Sequence, residues 1–325
     1  MKNRFLQIAV AVLLFSLIAI PAFCLEVIPP TLEELQKAYA YDHSAPLNIE
    51  IKDEKDFGAY RRIHFFYDSL RAGERVPAYL LLPRKGKTPF KPERATKPGA
   101  YPVIFYMHFH VGDKELVSMI APWVGRGIAV FAIDGVYRGE RLDEKKDIFS
   151  PDPRETAQNI RNQIMDILRG FDVIAQWDGL DPDRIGYMGI SMGSITGTAA
   201  VTLDKRVNTV LLVDGAGDFN LIFDLSTYGD SEKIKTFMDE NNITKEQLVG
   251  AFRIVDPLAF APYLVDRPVF MINGEKDTIL PVPAIKELYE NLGTKDKSIK
   301  WFPSDHYLPF DKVLPECLKW FLKYL

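Results

Sequence analysis

Three side chains in this 325-residue sequence have the types and the order that acyl transfer requires. Ser191 stands at the centre of Gly189-Ile190-Ser191-Met192-Gly193, Asp277 follows in Asn273-Gly274-Glu275-Lys276-Asp277, and His306 ends Pro303-Ser304-Asp305-His306. A serine hydroxyl is a poor nucleophile until a neutral imidazole can take its proton. The imidazole needs a carboxylate that holds its tautomer and stabilises the imidazolium as it forms. His306 is the only histidine after Ser191, so it is the candidate base. Glu275, Asp277 and Asp305 compete for the acid. Asp277 is favoured because Thr278-Ile279-Leu280-Pro281 can turn the chain and aim its carboxylate across the site. Glu275 stands nearer a strand end, and Asp305 adjoins the histidine and would point elsewhere. The opposing reading makes Asp277 a turn or N-cap aspartate and His306 a surface loop residue.

A tetrahedral oxyanion also needs two donors. The backbone N–H of Met192, directly after the serine, is the first candidate. The second would be the N–H of Phe109 or His110, in the loop His108-Phe109-His110-Val111-Gly112. His108 reads as a polar anchor of that loop. His108 and His110 have a spacing that a metal could use, but no third ligand stands at a suitable distance in sequence, so no metal and no cofactor are expected. The segment 134–141 reads as a bonded loop under the pocket, with Arg138 held in an ion pair, and His64 as a structural residue.

These residues matter only if the chain brings them to one place. Polar stretches with Pro open the segment after residue 25, with one short helix expected over 32–41 and a surface strap beyond it. Strands over 61–67 and 75–82 form an antiparallel hairpin. The pattern then alternates: strand 101–107, helix 115–126, strand 128–133, helix 156–177, strand 185–190, helix 192–203 and strand 207–213. Strand 267–272, helix 284–292, strand 298–302 and helix 313–325 complete it. Such alternation means an open, mostly parallel sheet with helices on both faces. Ligands of open α/β sheets bind beyond the carboxyl ends of the strands, which is where Ser191, Asp277 and His306 all fall. Between strand and helix the serine would sit on a sharp turn, with glycines at 189 and 193 because a Cβ there would find no room. Residues 218–263 interrupt the alternation with helices near 231–240 and 244–252, a lid-like insertion expected to touch substrate.

The composition, 47% hydrophobic and 26% charged, suits a globular enzyme and disfavours disorder. A formal net charge of -4 with no basic stripe gives nucleic-acid binding no support. Lys2 and Arg4 precede an apolar run to Phe23, the layout of an export signal over 1–24. The mature chain, 25–325, would then be one domain, secreted or periplasmic, without a membrane span. A retained anchor and a lipid on Cys24 are the alternatives. With only Cys24 and Cys317 present, no disulfide framework is expected, and Cys317 reads as a buried small hydrophobe. Asn242-Ile243-Thr244 is a formal glycosylation sequon, meaningful only in a eukaryotic secretory route.

Taken together, H-F-H-V-G at 108–112, D-G-V-Y-R-G-E-R at 134–141, D-P-D-R-I-G-Y-M-G-I-S-M-G at 181–193, N-G-E-K-D-T-I-L-P at 273–281 and D-H at 305–306 carry a resemblance. The chain resembles the α/β-hydrolase superfamily from about residue 59 onward. It looks most like the branch of dienelactone hydrolases, acetyl xylan esterases and prolyl-oligopeptidase-type catalytic domains. The resemblance implies Ser191 as nucleophile, Asp277 as acid and His306 as base. Ser194 replaces a glycine that many relatives keep, and Phe109 replaces the glycine of a usual His-Gly. Serine in place of cysteine argues against dienelactone hydrolysis, and the lack of a propeller-sized N-terminal segment weakens a peptidase. The expectation is a serine esterase acting on a small or acetylated ester. Amide or peptide cleavage by the same residues, and a non-catalytic binding protein on this scaffold, are the alternatives; the oligomeric state is left open.

Overall fold

The computed structural model describes residues 28–84 and 89–325; the expected export signal lies outside the described residues. Nine strands form one sheet: β1 (Glu50–Asp56), β2 (Tyr60–Asp68), β3 (Arg75–Pro83), β4 (Tyr101–Met107), β5 (Ala129–Ile133), β6 (Leu180–Ile190), β7 (Val207–Val213), β8 (Val269–Gly274) and β9 (Lys297–Phe302). Their spatial order is β1-β2-β3-β5-β4-β6-β7-β8-β9. The first three strands and the β3–β5 pair run antiparallel. From β5 to β9 every neighbour is parallel. The hairpin therefore forms the antiparallel edge of a parallel sheet.

Successive side chains of a strand point to opposite faces, so the apolar run of β4 feeds two cores. Val103, Phe105 and Met107 join the layer that holds α2 (Pro153–Gln176) and α3 (Met192–Leu203), after α1 (Leu32–Ala38) in chain order. Ile104 and Tyr106 face the opposite layer, where the C-terminal helix Phe310–Tyr324 packs with Cys317 fully buried. The insertion begins with α4 (Phe219–Leu225), α5 (Gly229–Glu240), α6 (Lys245–Phe252) and α7 (Pro257–Phe260); α8 (Val282–Asn291) and α9 (Phe310–Tyr324) close the chain. The Asp256 carboxylate pins the start of the insertion, accepting the N–H groups of Asp218 and Phe219 at 2.9 and 2.7 Å. No helix among the described residues is long and apolar enough to cross a membrane.

Two local expectations fail. The polar strap contains the edge strand β1, Glu-Ile-Lys-Asp-Glu-Lys-Asp, which no apolar alternation announces. Its side chains are mostly exposed, and charge on an edge strand discourages pairing with another chain. The register is held by cross-strand ions, with the Arg61 guanidinium donating to Glu54 at 2.8 Å. The helix expected over 115–126 is two 3₁₀ turns, Lys114–Met119 and Ala121–Arg126. Pro122 lacks the N–H that a continuous helix would need there and its ring crowds the preceding turn. Element ends elsewhere move by a few residues; β8 runs to Gly274, so Asn273 and Gly274 belong to the strand end rather than the loop.

Candidate active site

The turn between β6 and α3 is strained. Ser191 has φ 51° and ψ -109°, a positive φ for a residue with a Cβ, and such outliers persist only where the surroundings enforce them. Here they do. The Ser191 N–H donates to Val213 O at 2.8 Å, the Tyr187 hydroxyl to Gly193 O at 2.7 Å, and the Ser194 hydroxyl sits 2.8 Å from Gly189 O and 2.7 Å from Val213 O. A Cβ on Gly189 would lie 2.4 Å from the Gly193 backbone, and one on Gly193 would lie 2.3 Å from Met107 O. The two glycines are thus required by close approach. Ser194, an unexpected residue from sequence, acts as a clasp between the ends of β6 and β7.

His306 lies between Ser191 and Asp277. Its Nδ1 is 2.7 Å from Asp277 Oδ2 and its Nε2 is 3.1 Å from Ser191 Oγ. A carboxylate only accepts, so the neutral ring carries its proton on Nδ1, donates it to Asp277, and accepts the Ser191 hydroxyl at Nε2. The other Asp277 oxygen accepts the N–H groups of Ile279 and Leu280, both at 2.9 Å, which fixes the carboxylate plane. Asp277 is 3% exposed, so little water competes with these bonds. The rivals point away. Glu275 is exposed, and Asp305 is exposed and accepts the N–H of Tyr307 at 2.9 Å.

Met192 opens α3, and the first N–H groups of a helix have no partner inside it. Phe109 and His110, on the loop after β4, line the same cavity as Met192. That loop is tied from below. The Gly135 N–H donates to His108 Nε2 at 3.0 Å, and the other His108 nitrogen meets Phe109 O at 2.7 Å. Burial pushes the His108 pKa below the usual histidine range, which keeps the ring neutral as this bonding requires. The Arg138 Nε donates to His110 O at 2.5 Å, and its guanidinium also pairs with Asp147. The His110 ring sits between Asp147 Oδ1 at 2.6 Å and the Tyr228 hydroxyl at 2.7 Å. Neither His108 nor His110 presents a free nitrogen to a metal. His64 bonds Asp53 and Glu140 at 3.2 and 2.8 Å and takes no part in the site.

A cavity of ≈ 300 Å³ opens over Ser191. Its walls come from the loop after β4, the start of α3, the loop after β8 and the insertion, which adds Phe219, Ile222, Phe223, Tyr228 and Ile234.

One residue of this site was not anticipated. Asp214 is the first residue past β7, has φ 49°, is 2% exposed and lines the cavity. Its Oδ1 has no hydrogen-bond partner among the described residues. Burial, with the Asp277 and Asp305 carboxylates adding to it, raises its pKa well above the usual range, which favours the protonated acid. The available signal was its place immediately beyond a parallel strand; no pattern around it marks a role. Asp214, Asp277 and His306 offer ligand atoms within 4.8 Å of one another, the one grouping among the described residues with metal-like spacing. The Asp277 and His306 atoms in it are already hydrogen-bonded to each other.

Residues 54–320 match the family model described as acetyl xylan esterase (AXE1). In sequence the chain is similar to YitV of Bacillus subtilis, 23% identical over 239 residues, 70% of this chain and 90% of that one. In structure it is similar to an acetyl xylan esterase from Paenibacillus sp. R4, with TM-score 0.73 and 19% identity, covering 91% of this chain and 100% of that one. It is also similar to acetyl xylan esterase 1 from Thermoanaerobacterium sp. JW/SL YS485, with TM-score 0.69 and 18% identity, over 91% and 99% of the two chains. At such identities the structural likeness speaks for the fold. Because the family model spans most of the sequence, the chain belongs to the acetyl xylan esterase family of the α/β-hydrolase superfamily.

Proposed function

We propose that this chain is a serine hydrolase of small carboxylic esters. The observation that carries the reading is the unbroken relay from Asp277 through His306 to Ser191, at 2.7 and 3.1 Å. Ser191 Oγ attacks the ester carbonyl while His306 Nε2 takes its proton, and Asp277 stabilises the imidazolium. The N–H of Met192 and that of Phe109 or His110 bind the oxyanion. The alcohol leaves with the proton from His306, and water activated by the same ring then frees the acid and restores Ser191. The acetyl group in the family's name makes an acetate ester the first substrate to try. Residues 1–24 would direct the enzyme out of the cytoplasm, to the periplasm or medium.

The test is turnover of p-nitrophenyl butyrate by wild type and Ser191→Ala, alongside labelling with a fluorophosphonate. Wild type should turn over the ester and carry one label on Ser191. The Ser191→Ala protein should lose at least about 10³-fold in kcat and take no label. Retention of wild-type turnover by Ser191→Ala would overturn the mechanism. A matched p-nitroanilide distinguishes ester from amide cleavage.

A further inference from the structure

The cavity above Ser191 is lined mostly by apolar side chains. Its ≈ 300 Å³ falls at the lower end of the range for small-ligand sites, roughly 300–1,000 Å³. Apolar side chains from four separate elements line it: Ile195 of α3, Phe219 and Ile222 of α4, Ile234 of α5, and Leu280 after β8. Their convergence from distant parts of the chain makes a built pocket, as ligand sites generally are.

Several polar groups in the lining are already engaged, and Asp214 Oδ1 is left without a partner among the described residues. The Ser226 hydroxyl donates to Ile279 O at 2.7 Å, and its oxygen accepts the Tyr228 N–H at 3.1 Å. The Tyr228 hydroxyl and both nitrogens of His110 are engaged as described. Asp230 is held by Lys233 at 2.7 Å. Beyond Ser191 and His306, Asp214, Ser231 and the rim residue Tyr307 complete the polar lining. A site built for a hydroxyl-rich ligand would need unspent donors and acceptors, since each buried hydroxyl left unpaired costs affinity.

We propose, resting on the ester-hydrolase reading above, that this site takes esters with an apolar hydrocarbon group of about four to eight carbons, lodged against the insertion. Acetylated sugars are then poor substrates of this family member. The insertion, whose helices α4 and α5 supply much of the apolar wall, sets the chain length accepted. The hydrocarbon can belong to the acid or to the alcohol, and the experiment has an arm for each.

In the first arm, p-nitrophenyl acetate, butyrate, hexanoate, octanoate and dodecanoate are compared by kcat/KM. In the second, acetates of ethanol, butanol, hexanol and octanol are followed by acid release, with acetylated xylo-oligosaccharide alongside. Full burial of a methylene is worth about fourfold in binding, so one arm should climb at least about tenfold from its shortest member to hexyl or hexanoyl. It should fall again once the chain outgrows the cavity. A climb in the first arm assigns the pocket to the acyl group, and a climb in the second assigns it to the alcohol. Flat or falling profiles in both arms, or acetylated xylo-oligosaccharide as the fastest substrate, would overturn the inference. Ile222→Trp fills the cavity and should lower the long-to-short ratio at least about tenfold. Ile234→Thr removes one methyl and places a hydroxyl on the wall, and should lower the same ratio severalfold. An unchanged ratio in folded Ile234→Thr would count against the insertion as the wall. The two readings fail differently. No fluorophosphonate label and no ester turnover defeats the hydrolase reading, whereas labelled enzyme that prefers acetate or acetylated sugar defeats only this one.

Discussion

Gly193→Ala tests whether the geometry around Ser191 is as tight as described. The new Cβ would lie 2.3 Å from Met107 O, 2.8 Å from Met107 C and 2.9 Å from His108 O. Ordinary contact begins at 3.4 Å, so the two backbones must part by about 1 Å. Neither wall is a flexible side chain. One is the end of β4 running into the loop of Phe109 and His110, and the other is the turn that carries Ser191. The separation therefore falls between the two sides of the proposed oxyanion site. Misplacement by about 1 Å costs on the order of 10²-fold in rate, and overpacking costs about 1–3 kcal/mol in stability. The assay is kcat/KM on p-nitrophenyl butyrate for protein whose circular dichroism and melting curve establish that it is folded. Gly250→Ala is the control, since nothing lies within 4 Å of its Cβ and it sits in exposed α6. It should keep full activity and gain up to about 1 kcal/mol of helix stability. If folded Gly193→Ala works within threefold of wild type, the reasoning about the turn is wrong.

Asp277→Asn should lower kcat by about 10³–10⁴-fold with little change in melting temperature. The Ile279 and Leu280 N–H groups hold the amide oxygen, the NH₂ then faces His306 Nδ1, and the ring is forced to the tautomer whose Nε2 cannot accept a proton; a comparable loss in Asp305→Asn or Glu275→Gln would reassign the acid. Asp214→Asn should stabilise the protein increasingly as pH rises above the ordinary carboxylate value. The folded acid has a raised pKa, so the unfolded chain releases a proton that the folded chain keeps, and wild type loses stability as pH rises above the ordinary carboxylate value. A melting-temperature difference between Asp214→Asn and wild type that does not vary with pH would refute this. Ser194→Ala removes the clasp on Gly189 O and Val213 O and should cost about 1–2 kcal/mol in urea unfolding, with less than a tenfold loss of kcat. A kcat loss as large as that of Asp277→Asn would show that Ser194 does more than hold the turn.

The parallel sheet and its hairpin edge were legible in the sequence because each is a local pattern, and so was the position of Ser191, Asp277 and His306 just past strand ends, where the fold hydrogen-bonds them to one another. Apolar runs of six or seven residues mark buried strands, and the polar residue just past a strand marks the functional edge. The segment Gly189 to Gly193 was readable for the same reason, since two glycines two residues from a serine record a steric demand. What the sequence could not rank was decided by distance. Asp277 rather than Glu275 or Asp305 meets His306 because Ile279 and Leu280 turn their N–H groups onto its carboxylate, a fact of the folded loop. β1 escaped notice because a charged edge strand is held by its neighbour and not by its own periodicity. Asp214 escaped because its chemistry comes from what surrounds it: Asp277 and Asp305 are 63 and 91 residues away in sequence, and only the fold brings their carboxylates near the buried Asp214. The cavity itself belongs to tertiary structure for that same reason. Its walls are contributed by several stretches of chain, from Phe109 to Phe310, that share no local signal and meet only in the fold.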